Sequence, residues 1–274
     1  MTEIRYGKHD ISFYRSHPER GIFAGRVAVD VFGDNFMPAY SEGDNRNVVA
    51  TDTMKNFVHA MALEYPGDRY ETFAHFLGRR FLDEYPQMRE LRLRVREQPF
   101  AGHSGKLFSP LADDYETVDL RLDRQRIHDL YCGRANLRLV KLTGSAFRNF
   151  ARDRFTTLPE VQDRPLFIHL DLGWRYRDAA QALSGGQLYG SGEIRDAVIR
   201  TFDDFVSLSI QHLVHEMGRR LFERFPDLVE TTFEAQNRLW DTVKVSEAEP
   251  LLRVFADPRP AHGSIFLSLR REST

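Results

Sequence analysis

The strongest constraint on the fold of this chain is a pair of similar segments that lie 140 residues apart, close to half of its 274 residues. The segments are GRRFLDEYPQMRE, residues 78–90, and GRRLFERFPDLVE, residues 218–230. Strand-like sequence follows each of them. Two copies of one supersecondary unit account for this pattern better than a chance similarity of two helix ends. We therefore predict two tandem repeats, at residues 1–134 and 135–274, with Gly133 interrupting the pattern at the boundary.

Each half of the sequence contains both strand-like and helix-like periodicity. Apolar residues spaced by three and four predict a helix that Thr51 or Asp52 caps, a helix that buries Phe73 and Leu77, and one long helix over roughly 193–224. Period-two alternation predicts strands at 22–32, from Leu91, and at 137–142, 165–174, 229–235 and 264–269. Gly- and Ser-containing stretches predict loops at 99–117 and 183–192. Strands on both sides of helices favour the α+β class, with antiparallel sheet and helices on one face.

Composition and charge exclude several classes of function. Lys and Arg total 38 against 40 Asp and Glu, so the strongly basic surface of a nucleic-acid-binding protein is not expected. The single cysteine, Cys132, excludes an internal disulfide and a cysteine-based zinc site. No apolar stretch approaches the ~20 residues that span a bilayer, and the first residues show no secretory signal. We therefore expect a cytoplasmic protein with neither nucleic-acid nor membrane partners.

Histidines give no evidence for a metal centre. His212 and His215 share a helix face, but two ligands do not make a zinc site, and no HExxH pattern is present. His215 also recurs as His75 at the offset of the repeat, which suggests a packing role. We therefore expect no metal.

More informative is the segment NVVATDTMKN, residues 47–56, where a strand-like start gives way to Thr51 and Asp52 at a helix N-terminus. Such a terminus aims free N–H groups at one point and suits a planar anion, although plain helix capping explains the same residues. Arg164 precedes a predicted strand, and its planar fork suits a carbonyl or anionic edge. The amide of Gln211 offers a donor and an acceptor to the imide edge of a heterocycle. Exposure of both side chains to solvent is the alternative.

Five motifs, in order along nearly the whole chain, resemble those of the urate oxidases, the cofactor-independent uricase family. They are RYGK (5–8), NVVATDTMKN (47–56), GSAFRNFARDRFTTLPEVQDR (144–164), the helix start at Ser209-Ile210-Gln211 and FEAQNR (233–238). The resemblance implies a tandem tunnelling fold, in which each half is an antiparallel four-stranded sheet backed by two helices. It also implies that subunits close into a barrel and assemble as a homotetramer. Urate, dioxygen and water would give 5-hydroxyisourate and hydrogen peroxide, without metal, flavin or haem.

The resemblance also implies a role for particular residues at an active site between subunits. Lys8 matches the catalytic lysine of the family and Thr51 the threonine with which it pairs, so that Lys8 would act as a base through the Thr51 hydroxyl. The Asp52 N–H would contact the purine. The residues that would bind urate from the second half are Phe147 by stacking, Arg164 and Gln211 at the pyrimidinedione edge, and Ile210 through its backbone.

One motif departs from the family pattern. The family carries Asn-x-His where oxygen and water bind, and a simple alignment places Gln236 at the asparagine and Arg238 at the histidine. A shift of one residue places Asn237 and Leu239 there instead. Either way the histidine is missing, and arginine cannot accept and return a proton. The alternatives to a urate oxidase are therefore a tunnelling-fold enzyme that acts on another purine or pterin, and a non-catalytic binder of such a heterocycle.

Overall fold

The computed structural model describes residues 3–258 and 260–271, so the first two residues of the first predicted repeat, and residues 259 and 272–274 of the second, lie outside the described residues. The chain divides into two compact units, Met1–Gly133 with Arg175–Leu188, and Arg134–Trp174 with Tyr189–Thr274. Within the described residues, no helix is both long and apolar enough to cross a membrane.

The first unit combines an antiparallel sheet with helices. Its strands are β1 (Arg5–His17), β2 (Gly21–Phe32), β3 (Glu90–Glu97), β4 (Phe100–Gly102), β5 (Phe108–Pro110), β6 (Tyr115–Asp123) and the first part of β7 (Ile127–Lys141). The main sheet has the order β1-β2-β3-β6-β7, with antiparallel pairing from β1 through β6, and β4 pairs with β5 alone. The helices are α1 (Met37–Ser41), which follows a 3₁₀ turn at Asp34–Phe36, then α2 (Thr51–Glu64), α3 (Tyr70–Glu84) and α4 (Ala179–Leu183).

The second unit repeats this combination. Its strands are the last part of β7, then β8 (Leu166–Tyr176, whose final residues belong to the first unit), β9 (Leu228–Asn237), β10 (Asp241–Val245), β11 (Arg253–Ala256) and β12 (Gly263–Arg270). The order is β7-β8-β9-β12, with β9 and β12 antiparallel, while β10 and β11 form a separate pair. The helices are α5 (Ser191–Asp204) and α6 (Ile210–Arg224). The prediction of the α+β class is confirmed.

Alternating apolar residues of the strands pack against apolar faces of the helices in both units. In the first unit α3 packs on β3 and β6, and in the second unit α6 packs on β9 and β12. The fully buried side chains of these layers include Val29, Val31, Leu91, Leu93, Phe73, Leu77, Phe81, Leu213, Met217 and Phe233. Burial of such surface stabilises the fold by roughly 25 cal/mol per Å².

The two similar segments share a glycine, and it has the same structural role in both. A Cβ on Gly78 would lie 2.9 Å from the Leu122 side chain, and a Cβ on Gly218 would lie 2.4 Å from the Leu269 side chain. Each glycine therefore lets its helix approach the sheet closely. The bounds of α5 and α6 also follow those of α2 and α3 at an offset of 140 residues. These features support the tandem repeat, which stays a prediction.

Several predicted elements were wrong in detail. The long helix over 193–224 is two helices, because the chain between them leaves the helical path and Ser207 pairs with Ser145. The stretch 99–117 contains two short strands and the start of β6 rather than a loop alone, and the stretch 183–192 is bounded by α4 and α5. Gly133 does not interrupt β7, which runs through it.

Candidate active site

The backbone geometry around Lys8 depends on the glycine that precedes it. A Cβ on Gly7 would lie only 1.8 Å from the carbonyl oxygen of Val29 on β2, so only glycine allows this approach of the two strands. Lys8 pairs with Val29, and the register then shifts before Ile11, which marks a bulge. The half-buried Lys8 therefore lies at a fixed backbone position at the start of the bulge.

Helix α2 begins beside this strand with its first turn open. The Val49 N–H donates to the Tyr6 hydroxyl at 3.2 Å, which ties the start of α2 to β1. The residue before the helix is Ala50, and it makes no side-chain capping bond, so the prediction of a Thr51 or Asp52 cap was wrong. The N–H groups of the first turn, which includes Thr51 and Asp52, therefore have no side-chain cap and point outward at the positive end of the helix dipole.

The Asp52 side chain is engaged outside this turn. Its carboxylate accepts from Lys55 Nζ at 2.5 Å and from Asn56 Nδ2 at 3.2 Å. The hydrogen bond from Lys55 lowers the pKa of Asp52, and the charge of Lys8 acts in the same direction. Lys8 lies on β1, which packs against α2. Lys8, Thr51 and Asp52 are thus all on two neighbouring elements of the first unit.

The remaining predicted site residues lie in the second unit, where Phe147 and Arg164 form one contact. The backbone of Phe147 pairs with that of Val161 in both directions at 2.9 Å. The guanidinium of Arg164 lies over the Phe147 ring, 5.6 Å from its centroid, and Phe147 also stacks on Phe150. Arg164 Nε is buried and has no hydrogen-bond partner among the described residues. Burial lowers the pKa of Arg164.

Ile210 and Gln211 are the first two residues of α6. The Ser209 hydroxyl caps this helix by accepting the N–H of His212 at 3.1 Å. Ile210 is buried, whereas Gln211 is exposed. The backbone of Ser207, just before the cap, bonds to the segment that leads into Phe147. The start of α6 therefore belongs to the same hydrogen-bonded framework as Phe147.

At the end of β9, the side-chain amides of Gln236 and Asn237 differ in their hydrogen bonding. The Oε1 of Gln236 accepts from Arg238 Nε at 3.1 Å and from Arg238 Nη2 at 2.6 Å. The Arg238 N–H donates to the Phe167 carbonyl at 2.9 Å. By contrast, Asn237 Oδ1 is buried and has no hydrogen-bond partner in the described part of the chain.

The strand pattern could have identified Asn237 from the sequence. Thr231, Phe233 and Ala235 are buried on one face of β9, and alternation places Asn237 on that face rather than Gln236. The alternating run TTFEAQN therefore contained the signal.

The histidines on α6 do not form a buried cluster. His212 and His215 are both exposed, so the predicted packing role of His215 was wrong, whereas His75 is half-buried and accepts from Arg79 Nε at 3.2 Å. Across residues 3–258 and 260–271, no group of three or more His, Cys, Asp or Glu could hold a metal ion.

Comparison with known proteins confirms the resemblance seen in the sequence. The sequence model of the family described as Uricase matches residues 4–106 and 130–266. A uricase of Haloferax volcanii is 37% identical over 276 residues, which cover 88% of this chain and 90% of that protein. A uric acid degradation bifunctional protein of Bacillus sp. TB-90 is 34% identical over 94% of this chain, which spans only 58% of that protein's length. The crystal structure of a urate oxidase from Bacillus sp. TB-90 superposes with a TM-score of 0.92 at 32% identity, covering 98% of this chain and 100% of that chain.

Proposed function

The chain belongs to the uricase family, and from this membership we propose that it is a urate oxidase. Urate, dioxygen and water would give 5-hydroxyisourate and hydrogen peroxide. Two electrons leave urate and reduce dioxygen to peroxide, and water supplies the hydroxyl group at C5. Because the urate anion is itself the electron donor, we propose no metal, flavin or haem, and the protein would supply positioning and proton removal.

The observation that carries this proposal is the pair formed by Arg164 and Phe147. An aromatic ring beside a half-buried guanidinium suits a flat anion, which stacks on the ring and receives hydrogen bonds at its edge. The buried Nε of Arg164 has no partner among the described residues, so a ligand carbonyl would complete its hydrogen bonding. Gln211 would bind the same edge through its amide, with a backbone contact from Ile210.

In the first unit, Lys8 and Thr51 would remove and relay the proton. The half-buried position of Lys8 near the start of α2 supports this role. The first-turn N–H of Asp52 would bind the anion, because no side chain caps this helix. These residues would act on urate together with those of another subunit, which implies the homotetramer and barrel closure typical of the family.

At the end of β9 we propose Asn237 as the amide near the oxygen and water. Gln236 already binds Arg238, while the buried Oδ1 of Asn237 remains available for a ligand or water. This register places Leu239 where the family carries its histidine. Proton transfer would then depend on Lys8 and Thr51 alone, so turnover would be slow but measurable.

The experiment measures the loss of urate absorbance in air together with peroxide release, for the unaltered protein, Lys8→Met and Lys55→Met. Lys55 is the matched control because it also carries a positive charge beside Asp52 but has no proposed role in proton removal. We expect turnover with the unaltered protein and with Lys55→Met, and almost none with Lys8→Met. If no urate disappears with the unaltered protein, the proposal fails, and a different purine or pterin, or a binding function, takes its place.

A further inference from the structure

Asp163, the residue before Arg164, makes two hydrogen bonds that the proposed reaction does not use. Its Oδ1 accepts the Gly144 N–H at 2.7 Å and the Ser145 N–H at 3.2 Å. Asp163 itself is exposed, so it does not serve as core packing. Its carboxylate instead fixes a short backbone segment, residues 144–146.

That segment supports both of the groups proposed to hold the urate edge. On one side, the Ser145 carbonyl accepts the Arg164 N–H at 2.9 Å. On the other, the Gly144 carbonyl accepts the Ser207 N–H at 3.1 Å, and the Ala146 N–H donates to the Ser207 carbonyl at 2.8 Å. Ser207 lies two residues before the cap of α6. A shift of the segment would therefore move Arg164 and the start of α6 together.

The conformation of Gly144 makes the segment dependent on such support. Its φ is +78°, a left-handed conformation that glycine adopts without strain and that gives the chain no stiffness of its own. The Asp163 carboxylate holds both the N–H of this glycine and that of the next residue.

We propose that Asp163 is a positioning residue that sets Arg164 and Gln211 at the separation that a purine edge requires. This inference rests on the proposed function, because it assigns these two side chains to one ligand. Sites of this kind lose affinity when their groups move by about 0.5 Å, even though every group is still present.

Two conservative variants separate position from charge. Asp163→Asn keeps an oxygen that can accept both N–H groups but removes the charge. Asp163→Glu keeps the charge but moves the carboxylate by one methylene. A positioning role predicts binding close to that of the unaltered protein for Asp163→Asn and weaker binding for Asp163→Glu, whereas a role of charge alone predicts the reverse.

The test is equilibrium binding of xanthine, a planar purine dione that lacks the C8 oxygen of urate, together with KM and kcat for urate. We expect Asp163→Ala to weaken xanthine binding and raise KM by about tenfold, with a smaller change in kcat. In the Arg164→Ala background, Asp163→Ala should weaken xanthine binding by no more than about a further threefold, because both substitutions act on the same contact.

Asp123→Ala is the matched control. Its Oδ1 also accepts two backbone N–H groups, from Gln125 at 2.6 Å and from Arg126 at 2.8 Å, but it belongs to the first unit, whereas Arg164 belongs to the second. Because Asp123 also pairs with His128, this variant should lower the unfolding temperature at least as much as Asp163→Ala does and leave xanthine binding unchanged. If xanthine binds the unaltered protein and Asp163→Glu equally well, the inference is overturned while the proposed function stands. If neither xanthine nor urate binds the unaltered protein, both fail.

Discussion

Arg164→Ala should separate ligand binding from folding in this protein. The Arg164 guanidinium lies over Phe147, and burial lowers its pKa, while among the described residues no carboxylate forms an ion pair with it. Its Nε is buried without a hydrogen-bond partner among the described residues. The cost of removing this group from water is therefore incurred on folding, before any ligand binds. Such a group contributes most of its interaction energy to the ligand rather than to the fold.

The expected magnitudes follow from these contacts. A hydrogen bond that involves a charged group contributes about 1.5–3 kcal/mol, and here the buried Nε is already removed from water before binding, which favours the upper part of that range. Arg164→Ala should therefore weaken xanthine binding by about 30- to 150-fold. The free energy of unfolding should change by less than about 1 kcal/mol, since loss of the contact with Phe147 is offset by relief of a buried, unpaired charge.

The assay is a calorimetric titration with xanthine, paired with urea unfolding of the same samples. Arg164→Lys should bind nearly as poorly as Arg164→Ala, because an ammonium group loses both the planar fork and the stacking. Arg148→Ala is the control, since this exposed arginine in the same segment donates to Gln162 Oε1 at 3.0 Å and has no proposed role in binding. Unchanged affinity in Arg164→Ala, or a loss of stability of several kcal/mol, would refute the reasoning.

Three further predictions test other parts of the molecule. Asn237→Ala should lower kcat for urate by about 100-fold or more, and Gln236→Ala by much less, in steady-state assays, because Asn237, unlike Gln236, offers a buried amide oxygen without a partner among the described residues. Thr51→Val should lower kcat by about 100-fold or more while Thr51→Ser retains most of it, since the hydroxyl relays the proton. Hydrogen bonds from two arginines of the same helix lower the pKa of Glu216 from 4.5 to about 2, so its ionised form stabilises the fold above pH 4.5 and this contribution is lost as the pH falls toward 2. Because solvent screens these pairs, Glu216→Gln should lower the free energy of unfolding at pH 7 by about 1 kcal/mol, and its urea unfolding should depend less on pH between 4.5 and 2.

Elements that depend on local periodicity could be predicted from the sequence. The spacing of Phe73 and Leu77 identified α3, and the alternation of residues 22–32 identified β2, because each pattern reflects one buried face. The break between α5 and α6 could not be predicted in this way. Its cause is the pairing of Ser207 with a segment more than 60 residues earlier in the chain, which periodicity does not report.

The candidate site was only partly accessible from the sequence. Family motifs suggested Lys8, Thr51 and Arg164, and strand alternation favours Asn237 over Gln236. The engagement of Gln236 by Arg238, by contrast, is a side-chain contact that the sequence pattern does not report.

Helices that are equivalent at the offset of 140 residues can be compared at their first turns, where the candidate site residues lie. Neither α5 nor α2 has a side-chain cap, but at the start of α5 Gly190 donates its N–H to Glu193 Oε2 at 3.2 Å, whereas α2 has Thr53 at the position of Glu193. At the second position of α3 the buried Glu71 pairs with Arg69, whereas α6 presents an exposed Gln211 at that position.

The first turns of equivalent helices therefore differ in their residues and contacts, although the helices share their bounds. The proposed chemistry uses the uncapped first turn of α2 in the first unit and the exposed Gln211 of α6 in the second. Packing against the sheet constrains the middle of α3 and of α6, where Gly78 and Gly218 lie. These contacts do not involve the first turns. The first turns could therefore diverge between the two units while the helices kept their packing, and the proposed function assigns ligand binding to one first turn of each pair.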